Sequence, residues 1–196
     1  MSTRLQRALE DPGDPPVAPL PPACADLLVE LAAPPRLAAH LRLVHDVAAR
    51  LSAWLAGQHP AVTFDRDAVL FGAATHDIGK VRHIAELSGP GSLHERAGQQ
   101  LLLDAGVDPS LARFAATHGD WDAPGIQVED LLVSVADKTW KAKRVPELEQ
   151  LLIDRLVQAS GHEPWQVFLD LDDHLGRLAA GADQRLAFQN SHPITS

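Results

Sequence analysis

The stretch from Pro35 to Gly57 places apolar side chains at Leu37, Leu41, Val44, Val47, Ala48, Leu51 and Leu55. Steps of three and four return them to one face of an α-helix. Pro34 and Pro35 open it, where a missing N–H is no loss, and Gly57 supplies a stop. A stripe that long has to be covered, and the rest of the chain offers mainly further helices to cover it. A short helix is predicted from Cys24 to Leu31. Asp65 or Asp67 caps one that carries Val69, Leu70 and Ala73 and ends at Gly79. Ser92 with Glu95 three residues on is a capping-box pattern for a helix running to Gly106. Asp108-Pro109 opens another that reaches His118, and helices follow over Val128–Arg144, Pro146–Ala159 and Glu163–Ala180.

No run of strands with hairpin signals interrupts this order, so the fold class is all-α, a helical bundle of roughly seven to nine helices. Asp11 to Pro22 is too proline-rich for helix or central strand. The expected organisation is therefore a first helix and proline-rich arm over 1–22, a helical domain over 23–182 and a mobile tail over 183–196. With 196 residues, 45% of them hydrophobic, the chain suffices for one domain with its own core. Its single cysteine, Cys24, cannot form an intrachain disulfide, which points to a reducing cytoplasm. No stretch approaches about 18 uninterrupted apolar residues, so no membrane span is expected. The start lacks the basic-then-apolar order of a signal peptide.

A formal charge of −9 argues against broad binding to a nucleic-acid polymer. A small anion is still compatible, if local cations reverse the field at its site. The four lysines are placed for that. Lys80 follows Asp77 by three residues, and Lys138, Lys141 and Lys143 lie within six of Asp137.

His76 and Asp77 form a neighbouring imidazole and carboxylate in Ala-Thr-His76-Asp77-Ile-Gly79-Lys80. Such a mixed nitrogen–oxygen set suits divalent iron, manganese, nickel or zinc. His40 falls on the apolar face of its helix with Val44, Val47 and Leu51, and so faces the core or a cavity lined by it. His94 and His118 sit near predicted helix ends. Asp137 follows the apolar run Leu131, Leu132, Val133 and Val135, where an unpaired carboxylate would be costly. A salt bridge to Lys141 at i+4 is its simplest partner. His45-Asp46 repeats the dipeptide about 140° around the helix from His40 and reads as a decoy on a more polar face. His59, His83, His162, His174 and His192 read as surface or capping residues.

The order His40, His76-Asp77, His94, His118, Asp137 resembles the HD-domain superfamily over roughly Pro35 to Arg144. His40-x-x-x-Val44-x-x-x-Ala48 is similar to its first-ligand helix, and His94-x-x-x-Gly98 to a segment of its dinuclear members. The resemblance implies one or two divalent metals per chain. One would take His40, His76, Asp77 and Asp137, and a second Asp77, His94 and His118. It further implies a phosphohydrolase that cleaves a phosphoester or phosphoanhydride of a nucleotide or similar small metabolite with a metal-activated hydroxide. Lys80 and Lys141 would then stabilise phosphoryl charge, and Asp120 would orient water or protonate the leaving group. Alternatives are a di-iron oxygenase and a non-catalytic nucleotide-binding module. Apolar helix surface left over from the core would permit a homodimer.

Overall fold

A computed structural model of the chain describes residues 3–195; Met1, Ser2 and Ser196, at the ends of the arm and tail, lie outside the described residues. In chain order the helices are α1 (Thr3–Glu10), α2 (Pro22–Glu30), α3 (Pro35–Gln58), α4 (Arg66–Thr75), α5 (Leu93–Asp104), α6 (Pro109–Ala112), α7 (Phe114–Thr117), α8 (Val128–Thr139), α9 (Pro146–Ser160), α10 (Pro164–Ala179) and α11 (Ala182–Asn190). Two 3₁₀ turns, Ile78–Val81 and Ile84–Leu87, join α4 to α5. No strand occurs among the described residues, and no described helix is long and apolar enough to cross a membrane. The chain is all-α. Helix segments outnumber the expected range because 108–118 divides into α6 and α7, and because α11 forms.

α3 is the axis. It packs against α1, α4, α8, α10 and α11, and most of it is buried on every side from Leu37 to Ala48. One apolar cluster joins its C-terminal half to α4, α8, α9 and α10; another joins its N-terminal half to α1, α2 and α5. The arm is docked across the polar face of α3 by Arg42, itself 2% exposed. Its guanidinium donates to the carbonyls of Ala8, Asp11 and Val17 at 2.9, 2.7 and 2.9 Å. An irregular proline-rich segment leaves carbonyls without partners, and one guanidinium carries enough donors to serve several. That face is consequently not a solvated one. His45 and Asp46 are both buried, with Asp46 bound to Arg50 at 2.9 Å and accepting from the Ala18 amide.

The segment expected to be a mobile tail is also ordered. α11 lies against α3, and the backbone amide and Nε of Arg36 donate to the carbonyls of Pro193 and His192, both at 3.0 Å. His192 and His59, read as surface residues, are 2% and 1% exposed.

Helix ends depart from the expected stops for local reasons. α8 ends at Thr139 rather than Arg144, because Ala142 takes a positive φ of 58°. The amides of Ala142 and Lys143 return to the carbonyls of Thr139 and Lys138, a Schellman turn without glycine. α4 ends at Thr75, short of Gly79. Gly79 serves close approach instead: a Cβ there would fall 1.9 Å from the His94 carbonyl oxygen and 2.5 Å from the Gly98 nitrogen. The 78–81 turn and α5 thus touch backbone to backbone.

Candidate metal centre

His76 is the last helical residue after α4, at φ −51° and ψ −36°, and Asp77 leaves the helix at φ −100° and ψ 9°. Adjacent side chains diverge by about 100° within a helix. The break after His76 lets both turn to one centre. His40 comes from the second turn of α3, His94 from the first turn of α5, His118 from the end of α7 and Asp137 from α8. All six side chains are buried, His76 completely.

Each imidazole spends its Nδ1 outward. His76 Nδ1–H donates to the Ala73 carbonyl at 3.0 Å and His118 Nδ1–H to the Ala115 carbonyl at 3.1 Å. His94 Nδ1–H donates to Glu86 Oε2 at 2.5 Å, and His40 Nδ1–H to Gln189 Oε1 at 3.2 Å. Metal-bound histidines are held by their second nitrogen in this way. Four Nε2 atoms are left facing inward. Those of His40 and His76 approach to 3.4 Å, as do those of His94 and His118. Asp77 lies between the pairs. Its Oδ2 is 3.0 Å from His40 Nε2 and 3.6 Å from His76 Nε2; its Oδ1 is 2.9 Å from His94 Nε2 and 3.5 Å from His118 Nε2. Asp137 Oδ1 closes the first pair, 3.4 Å from His76 Nε2.

The charges fit the same picture. Burial pushes both aspartates up, but the imidazole of His76 and its neighbours pull Asp77 and Asp137 well below the usual carboxylate range. Two ionised carboxylates are therefore enclosed together. Burial holds His40 below its ordinary value and brings His118 down to about 4, so protons on those rings are a poor source of positive charge. His94 is raised, because Asp77 and Glu86 outweigh its burial. Lys80 and Lys138 each place Nζ 2.6 Å from Asp77 Oδ2 and Asp137 Oδ2. The four inward Nε2 atoms and the second carboxylate oxygens form a donor set that could hold a divalent cation. Donor atoms bonded at about 2.0–2.2 Å to one ion lie roughly 3.0 Å apart at right angles and 3.4 Å apart in a tetrahedron. Separations from Asp77 of 2.9–3.6 Å match those edges, and within the first group His40 Nε2 and Asp137 Oδ1 are wider apart, at 3.9 Å. Two groups could each hold an ion: His40, His76 and Asp137, and Asp77, His94 and His118.

A family model described as HD domain matches residues 37–140. The chain belongs to the HD domain family. Comparison with curated proteins and with solved structures returns no match. The matched region of this HD domain contains all six converging residues; Gln189, which backs His40, lies beyond it.

Several supporting residues were not anticipated from the sequence. The expected pairing of Asp137 with Lys141 is replaced by one with Lys138, adjacent in sequence. Lys141 is exposed on the rim, its Nζ 5.7 Å from the centre of the Trp140 ring. Ser92 makes no side-chain cap on α5. Glu86 takes that role, accepting from the amides of Leu93 and His94, both at 3.2 Å, while gripping the His94 ring. Glu95, freed from the capping box, lies against Gly119, and burial raises its carboxyl. Asp120 is exposed on the loop after His118 and does not line the cleft beside the centre. Nothing in the local sequence around Glu86 or Gln189 marks either as a partner of a histidine.

That cleft, about 320 Å³, is bounded by Arg36, His40, Lys80, Trp140, Lys141 and Gln189 among others. Trp140 packs edge-on against His40, with ring centres 5.0 Å apart. The decoy dipeptide takes no part: His45 Nδ1 is buried without a hydrogen-bond partner.

Proposed function

We propose that this HD domain is a metal-dependent phosphohydrolase acting on a phosphoester or phosphoanhydride of a small metabolite, a nucleotide by preference. One observation carries the reading: a cleft lined by three cations, Arg36, Lys80 and Lys141, against one carboxylate, Glu86, itself bound to His94, opens directly on His40, beside the cluster of four imidazoles and two ionised aspartates. In a chain of net charge −9 such a local concentration of cations suits an anionic substrate.

The six clustered residues would hold one or two divalent ions, with Asp77 offering one oxygen to each group. Ions bound there would supply an acidified water and a polarised phosphoryl oxygen. The protein's share is placement and charge. Lys80 is at the seam between Asp77 and the cleft, positioned to take a phosphoryl oxygen. Lys141 and Arg36 line the outer wall, where further phosphate charge would lie. Trp140, packed against His40 at a steep angle, forms part of the cleft wall beside it. Burial of the cluster restricts bulk water to the cleft side.

The test is phosphate release from a nucleotide panel by manganese-loaded protein without oxygen, alongside metal counting. Release that disappears in Asp77→Ala supports the reading. Two irons with no phosphate released under any metal would transfer the site to C–H oxygenation. Less than one metal per chain, with wild type and Asp77→Ala alike, leaves a binding module.

A further inference from the structure

Three of the four imidazoles are oriented by near neighbours in sequence: His76 by Ala73, His118 by Ala115 and His94 by Glu86. His40 is the exception. It sits in the second turn of α3, and its Nδ1–H finds its acceptor 149 residues away, at Gln189 Oε1 on α11. We infer that Gln189 is a positioning residue for His40, and that α11, outside the matched family region, is a working part of the first metal group. The inference rests on the cluster being a metal site.

The placement of α11 is fixed independently of that contact. Arg36 binds the carbonyls of His192 and Pro193 just beyond its end. Arg185, one turn before Gln189, donates Nε–H to the Trp140 carbonyl at 2.6 Å, and Trp140 is the residue packed on His40. The helix therefore reaches His40 by two routes, one polar and one through the Trp140 ring. Gln189 also lines the substrate cleft with Leu186 from the same helix.

The chemistry gives Gln189 a specific task. A neutral imidazole carries one proton, on Nδ1 or on Nε2. Asp77 Oδ2, 3.0 Å from Nε2, draws the proton the other way in the metal-free chain; an acceptor at Nδ1 opposes that pull and favours the tautomer whose Nε2 lone pair is open to a cation. Without that acceptor the proton moves to Nε2, where it blocks ligation, or the ring turns away. Glu86 does the same for His94 with a full carboxylate; an amide is the milder version.

The experiment compares full-length wild type, Gln189→Leu and Gln189→Glu. Manganese binding to chelator-stripped protein is measured by equilibrium titration, and the His40 tautomer by ¹⁵N imidazole spectra of metal-free protein. Gln189→Leu is expected to weaken one metal equivalent by roughly 10–100-fold, leave the other unchanged, and lose the Nδ1–H signature of His40. Gln189→Glu, which keeps an acceptor, is expected to restore both. Wild-type affinity for both equivalents in Gln189→Leu, or equal loss of both without rescue by glutamate, overturns the positioning role. Wild type that takes up no manganese defeats the metal reading itself, while the tautomer spectra still report whether Gln189 orients His40.

Discussion

The chain carries two His-Asp dipeptides, and the fold treats them in opposite ways. His45-Asp46 lies inside α3, where the two side chains diverge. Asp46 is taken by Arg50 and the Ala18 amide, and burial brings His45 down to about 4. His76-Asp77 straddles the end of α4, and the break in the backbone there sends both side chains into one centre with four other residues. Both pairs are buried, so burial does not distinguish them. What distinguishes them is where the helix stops, and whether other elements deliver donors to the same point.

The largest expected effect breaks that contrast directly. Asp77→Asn should reduce phosphate release by on the order of 10³-fold or more, beyond the roughly 10–100-fold typical of a residue that only backs a ligand. Asp46→Asn should leave turnover unchanged. Steady-state assays of the two variants side by side settle it.

Gly79→Ala tests the close approach that follows His76-Asp77. Its Cβ meets backbone atoms of α5, which cannot swing aside, so a cost of about 3 kcal/mol is expected in chemical denaturation. The same variant should weaken metal uptake, since it displaces His94.

Acid should act more gently, and through the other dipeptide. His45 titrates near 4 in the folded chain against an ordinary 6.5, so the unfolded chain binds more protons between those values. Stability from this group is complete above pH 6.5 and is lost as pH falls toward 4. At pH 5 the loss is about 2 kcal/mol relative to pH 8, from 1.36 kcal/mol per unit. His45→Leu should remove that share of the difference between urea midpoints at the two pH values.

Gly57→Ala should give the smallest change, with opposite sign. A Cβ there meets nothing within 4 Å in the last turn of α3. The variant should gain about 0.5 kcal/mol by helix propensity, visible as a slight rise in thermal midpoint.

The six converging residues were legible because their side-chain types and order are unusual together, and because α3 and α8 carry plain apolar periodicity. Their supports were not. Glu86 and Gln189 are ordinary polar residues whose roles exist only once α5 and α11 are docked. The end of α8 was illegible because Ala142 occupies a position where glycine is the usual signal. α11 was missed since its apolar spacing is weak and its attachment comes from Arg36 and Arg185 binding carbonyls, which no side-chain pattern reveals. The docked arm was hidden likewise, as Arg42 looks like any solvated arginine in a helix.

The bond between His40 and Gln189 also has a consequence for biosynthesis. The histidine leaves the ribosome 149 residues ahead of its partner. At roughly 5–20 residues per second, that interval is on the order of 10 s, during which His40 exists without the group that orients it. If the cluster holds a metal as proposed, its first group is completed only after α11 has been made and has docked.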